Sequence, residues 1–81
     1  MGSARETADR LAKVYERTAD VFENTAAIAD RIAERLEQSG RSEAAKHERR
    51  EAEWARQTAQ RARSLAGERR TPTGGRNNAG E

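Results

Sequence analysis

The chain has 81 residues, no cysteine, a formal net charge of +2 and 33% apolar residues, sixteen of which are alanine. That length allows one small domain, the missing thiols exclude disulfides and thiolate metal sites, and few side chains are large enough to build a core. The longest unbroken apolar run is Ala26–Ala29, far short of the roughly 20 residues of a membrane span, and no apolar segment follows the first residues as a secretory signal requires, so the expected location is cytoplasmic with no membrane partner.

Gly40 is the only glycine or proline between Ser3 and Ala66. A chain rich in Ala, Arg and Glu with a single breaker near its middle reads as two long helices joined by one turn. Ser3-Ala4-Arg5-Glu6 has the S-x-x-E form in which hydroxyl and carboxylate each satisfy an orphan backbone donor, so helix 1 is expected over about 3–38. Along it Leu11, Tyr15, Thr18, Phe22, Thr25, Ala29, Ile32 and Leu36 alternate in steps of three and four, and Val14, Val21 and Ile28 repeat every seven residues on one flank. A two-position seam serves one partner helix; the added flank implies a second contact surface.

Residues 39–42 form the expected turn, with Gly40 suited to a left-handed helix end, Ser42 to capping the next helix and Glu43 to its positive end. So short a connection makes the helices antiparallel neighbours. Helix 2 is expected over about 43–66 with Gly67 as its stop, and residues 67–81 read as a disordered tail without apolar period. Ala45, Ala52, Ala55, Ala59, Ala62 and Ala66 give helix 2 a nearly all-alanine face, expected to nest against the larger residues Leu11, Tyr15, Phe22, Ile28, Ile32 and Leu36 of helix 1, with Ala29 among them. With helix 1 about 50 Å long and helix 2 about 36 Å at 1.5 Å per residue, the N-terminal end of helix 1, including Thr7, Ala8 and Leu11, is expected to overhang. The expected fold class is all-α: an antiparallel two-helix hairpin over residues 1–66 that dimerises into a four-helix bundle.

Residues with reactive chemistry are sparse. His47 has Glu43 and Glu51 four residues to either side, one helical face that in a dimer could offer carboxylates and imidazole to a metal, but the di-metal bundle pattern places Glu three residues before His, where Ala44 stands. A solvated salt-bridge network is the expected reading, with no metal and no cofactor. No base accompanies a nucleophile and no glycine-rich loop precedes a helix, so no enzyme is expected. Charge is uneven along the chain: from Trp54 to Arg70 there are five arginines and one glutamate. Arg56, Arg61, Arg63, Arg69 and Arg70 are the candidate nucleic-acid contacts, though an antiparallel hairpin lays this stretch beside Glu16, Asp20 and Glu23.

The hairpin outline is similar to that of the small secreted WXG proteins, but that family carries Trp-x-Gly in its turn. Here the turn is Gln38-Ser39-Gly40-Arg41 and the tryptophan is Trp54, so nothing is carried over from it. The expected function is a non-enzymatic structural or adaptor module acting through self-association, as a homodimer, and through contacts with another helical protein. Its candidate protein interface is Val14, Val21, Ile28 and Trp54; the alternative is a nucleic-acid-associated protein using the basic end of helix 2 and the start of the tail.

Overall fold

The computed structural model describes residues 3–70, and within them the chain forms two helices, α1 (Ala4–Gln38) and α2 (Ser42–Arg70), with no strand. Helix α1 starts where the sequence motif places it. The Glu6 backbone N–H donates to Ser3 Oγ at 3.1 Å and the Ser3 N–H donates to Glu6 Oε1 at 3.3 Å, a reciprocal capping box.

Helix α1 ends in a Schellman arrangement. The Gly40 N–H donates to the Glu37 carbonyl at 3.0 Å and the Arg41 N–H reaches back to the Leu36 carbonyl at 2.8 Å, satisfying carbonyls that lack a partner further along the helix. This geometry requires the left-handed conformation that Gly40 adopts, with φ +81°. Ser39 adds its hydroxyl, which donates to the Arg35 and Leu36 carbonyls. Ser42, expected as a cap, is instead the first helical residue, because Arg41 already takes the cap position and its carbonyl accepts from Ala45 N–H at 3.0 Å.

The second helix also runs further than its composition suggests. It continues through Gly67 to Arg70, so residues 67–70 of the expected tail are helical; residues 71–81 of that expectation lie outside the described residues. One glycine in an alanine- and arginine-rich helix costs only about 1 kcal/mol, and a side chain at Gly67 would meet open space. The four added residues lengthen α2 to about 44 Å at 1.5 Å per residue, which shortens the overhang expected of α1.

The core differs most from expectation. Among the described residues every buried apolar residue is alanine: Ala12, Ala19, Ala26, Ala29 and Ala33 on α1, and Ala45, Ala52, Ala55, Ala59, Ala62 and Ala66 on α2. Ala26 and Ala29 cluster with Ala52 and Ala55, and Ala19 clusters with Ala59 and Ala62; Phe22 packs against both clusters from the edge. The alanine face of α2 thus meets a second alanine face, and of the large α1 residues Phe22 packs against it from the edge. Leu11, Ile28 and Ile32, expected inside, are exposed, while Tyr15, Phe22 and Leu36 are half-buried. The physical reason is helical phase. Ala12, Ala19, Ala26 and Ala33 repeat every seven residues, one step round α1 from Tyr15, Phe22, Ala29 and Leu36, and two alanine rows allow axes to approach more closely than a leucine row permits.

Candidate interaction surface

The alanine seam divides the hairpin into two unlike flanks. On α1, positions 16, 23, 30 and 37 stand four residues after the buried alanines at 12, 19, 26 and 33, and on α2 positions 49, 56 and 63 stand four after the buried alanines at 45, 52 and 59. In an antiparallel pair these rows meet on one side of the seam. They are acidic on α1 and basic on α2. Arg49 Nη2 donates to Glu37 Oε1 at 2.7 Å, Arg56 pairs with Asp30, and Arg63 Nη2 donates to Glu23 Oε1 at 2.7 Å and to Asp20 Oδ1 at 3.0 Å. The Arg63 and Arg49 guanidinium groups are held above the ordinary arginine value, first by hydrogen bonding to Glu23 and Asp20 and to Glu37 respectively. A shallow open depression of about 260 Å³ beside Glu23, Arg56 and Gln60 belongs to this flank, and Glu23 and Arg56 along it are already paired.

The opposite flank is apolar along α1 and mixed along α2, where Glu51, Arg61 and Glu68 share it with Trp54, Thr58 and Leu65. Leu11, Thr18, Thr25 and Ile32 stand one residue before the buried alanines of α1, and Thr58 and Leu65 one residue before Ala59 and Ala66 on α2, so both rows point away from the ion pairs. Val14, Val21 and Ile28 widen the α1 row outward; Val21 is 61% and Ile28 53% exposed. Together they make a second heptad seam, in steps of three and four, left unpaired within the hairpin.

The threonines in this seam do not interrupt it. Thr18 and Thr25 donate their hydroxyls to the Val14 and Val21 carbonyls one turn earlier, each at 3.0 Å, and Thr58 does the same to Trp54 at 2.9 Å. A hydroxyl satisfied by its own helix leaves no donor seeking a partner, so the side chain can present its methyl to an apolar neighbour.

Trp54 lies at the α2 edge of this flank. Its ring meets Phe22 edge to face, with centroids 5.4 Å apart and planes at 81°, yet the residue is 52% exposed. It therefore closes one margin of the alanine seam and offers a ring surface outward.

The candidate basic contacts separate on inspection. Arg56 and Arg63 are consumed by the ionic flank, and Arg69 lies over the Tyr15 ring at 5.9 Å. Arg61 has no ion pair among the described residues; of Arg70, the backbone closes α2. The acidic neighbours expected for this stretch are confirmed for Asp20 and Glu23. Asp30 and Glu37 pair as well, beyond the acidic neighbours expected from the sequence, and their signal there is the seven-residue spacing of 49, 56 and 63 against 37, 30 and 23. Glu43 engages Lys46 at 3.6 Å on the helix surface, and among the described residues no group of His, Cys, Asp or Glu side chains converges on a metal position.

Among the described residues no helix is long and apolar enough to cross a membrane. No protein-family model matches this chain, and neither a curated protein nor a solved structure shows detectable similarity to it.

Proposed function

We propose that this protein is a non-enzymatic structural or adaptor module that acts through self-association and helix-to-helix contacts. The observation that carries the reading is the division of labour among side chains. Among the described residues the hairpin fully buries only alanine, with Phe22 packed at the edge, while Leu11, Val14, Val21, Ile28, Ile32, Leu65 and Trp54 are left on the surface. An intramolecular core of alanine methyls stabilises weakly, since each buried methyl contributes about 0.8 kcal/mol against roughly 1.5–3 for a larger apolar side chain. Placing the larger side chains on one outward flank reserves the stronger interaction for a partner. A second copy supplies the same face, and two hairpins stacked through it give a four-helix bundle with the ionic flanks outside.

Replacing Val21 and Ile28 together by Glu tests this. The expected result is a shift in light-scattering mass from a dimer to the 9.0 kDa monomer, with the helical circular-dichroism signal reduced or concentration-independent; unchanged mass and helicity would refute the reading. Contact with nucleic acid through the basic end of α2 is supported less, because Arg56, Arg63 and Arg69 already have partners within the hairpin.

A further inference from the structure

The charges bordering the apolar flank bear on how two copies align, an inference that rests on the self-association proposed above. On α1, Arg10, Arg17 and Arg31 recur with Asn24 at seven-residue spacing, in a row beside Val14, Val21 and Ile28 on the side facing away from α2. None of the three arginines has an ion pair among the described residues, while the acidic residues Asp20, Glu23, Asp30 and Glu37 are bound to α2 across the ionic flank. On α2, Glu51, Arg61 and Glu68 likewise have no ion pair among the described residues, and they share the apolar side with Trp54 and Leu65, Arg61 standing nearest the level of Asn24, the uncharged place in the α1 row.

The buried clusters fix the register between helices. Ala26 and Ala29 cluster with Ala52 and Ala55, and Ala19 with Ala59 and Ala62, so Arg31 stands level with Glu51, Ile28 with Trp54, Arg17 with Leu65 and Val14 with Glu68. Within one hairpin these residues are on different helices and point outward. They match in kind but do not meet.

We propose that the protein dimerises head to head, the two α1 helices packing in parallel through the Val14, Val21 and Ile28 stripe about a two-fold axis that runs along them. Such an axis preserves levels and sets α2 of each copy beside the arginine row of the other. Arg31 of one copy then faces Glu51 of the second, Glu68 of the second copy comes between Arg10 and Arg17, and Trp54 covers Ile28 across the interface. The exposed remainders of Tyr15 and Phe22 receive the aliphatic stems of the same arginines.

A two-fold axis perpendicular to the helices gives the reverse. It turns the arginine rows toward each other, bringing Arg31 of one copy to Arg10 or Arg17 of the second according to register, and leaves both α2 helices on the far side. Like charges along the whole arginine row then oppose assembly and Glu51 and Glu68 are out of reach, whereas the parallel alignment apposes only the two Arg35 side chains, seven residues beyond Ile28 at the turn end of the stripe.

Parallel pairing makes the dimer polar. Both Gly40 turns lie at one end and both α2 ends at the other, about 40 Å away by helix rise. An adaptor of this form presents two copies of one surface side by side, which suits bivalent grip on a single target and not a bridge between distant ones.

Because the chain has no cysteine, single substitutions report the alignment directly. Val14→Cys and Ile28→Cys are each oxidised separately, then as an equimolar mixture, with Val21→Cys at the middle of the stripe as the control for face-to-face contact; circular dichroism verifies that each variant is helical. Head-to-head packing gives a covalent dimer in every separate sample, because equal levels bring each thiol to its own copy within bridging distance. Cross-linking of Val14→Cys only with Ile28→Cys overturns the parallel alignment and leaves self-association standing. A dimeric mass without any cross-link, Val21→Cys included, moves the interface elsewhere and overturns it too, whereas a monomer at every concentration overturns both readings. Arg31→Glu should weaken dimerisation by about fivefold, a magnitude typical of an exposed ion pair, and Glu51→Arg in the same chain should restore it; no restoration would count against the alignment.

Discussion

A buried alanine contributes one methyl, so the close fit of its neighbours matters more than its own transfer energy. Ala19, Ala52, Ala55 and Ala59 are all fully buried along the seam, and a larger side chain at any of them must push the helices apart. Ala55→Leu is expected to destabilise the hairpin by about 1–3 kcal/mol, measured as a lower urea midpoint with an unchanged slope; a midpoint equal to or above that of the parent chain would show that the seam is looser than described. The opposite holds on the apolar flank. Since the Thr18 and Thr25 hydroxyls are already bonded to Val14 and Val21, exchanging either for valine removes no partner bond and adds a methyl to the exposed stripe. Each Thr→Val change is expected to tighten self-association by about two- to fourfold, read from the concentration dependence of light-scattering mass. At this scale the sequence was only half informative. Its periodicity marks Val14, Val21 and Trp54 as surface candidates and is compatible with Ile28 in the core or on the flank; Ile28 is exposed on the flank. Size misled the core assignment: Leu11, Ile28 and Ile32 outrank alanine in burial energy, yet the phase of the alanine row puts them outside.

For the two helices, the ends follow from local chemistry and the lengths do not. Ser3 and Glu6 close the start of α1 and Gly40 its end, because a capping box and a left-handed residue are properties of a few adjacent residues. Two glycines give a matched test. Gly40→Ala forces a side chain onto φ +81° and should lower stability by about 1–2 kcal/mol, whereas Gly67→Ala, in open space within α2, should raise stability or helicity by up to about 1 kcal/mol. Paired thermal melts decide it, and the same sign for both substitutions would contradict either the turn or the extension of α2. That extension was hidden in the sequence because a glycine is a weak stop unless backbone bonds of a left-handed cap use it. Gly40 has those bonds; Gly67 lies inside the helix.

The whole molecule is organised by two flanks of opposite character. The ionic flank is solvent-exposed, so its contribution is expected to decline with screening over a Debye length of about 10 Å at 0.1 M salt and 3 Å at 1 M. Association through the apolar flank should respond in the other direction to a salting-out salt. Sodium sulfate is therefore expected to strengthen dimerisation even as it screens Arg49, Arg56 and Arg63 from their acids, whereas a steep loss of association with added salt would transfer the main role to charge. Raised arginine values have a definite sign for pH dependence. While its acidic partners are ionised, a cation whose folded-state pKa exceeds its unfolded value contributes fully below the ordinary arginine range and loses that contribution only as pH climbs above it. No guanidinium transition is thus expected across the neutral range, and a melting-temperature series in buffers of constant ionic strength checks it.

The sequence by itself determined two helices, the turn between them and the acidic partners Asp20 and Glu23 of the basic end, because capping, glycine conformation and antiparallel register are fixed by neighbours along the chain. It also marked an apolar surplus on one side of α1. Only the tertiary structure decided which row faced inward. Two seams a step apart on the same helix are both periodic and both apolar, and periodicity cannot rank them. Packing can, since the helices meet where an alanine row on each faces the other. The larger side chains were left outside by that choice, and with them the surface proposed here for assembly.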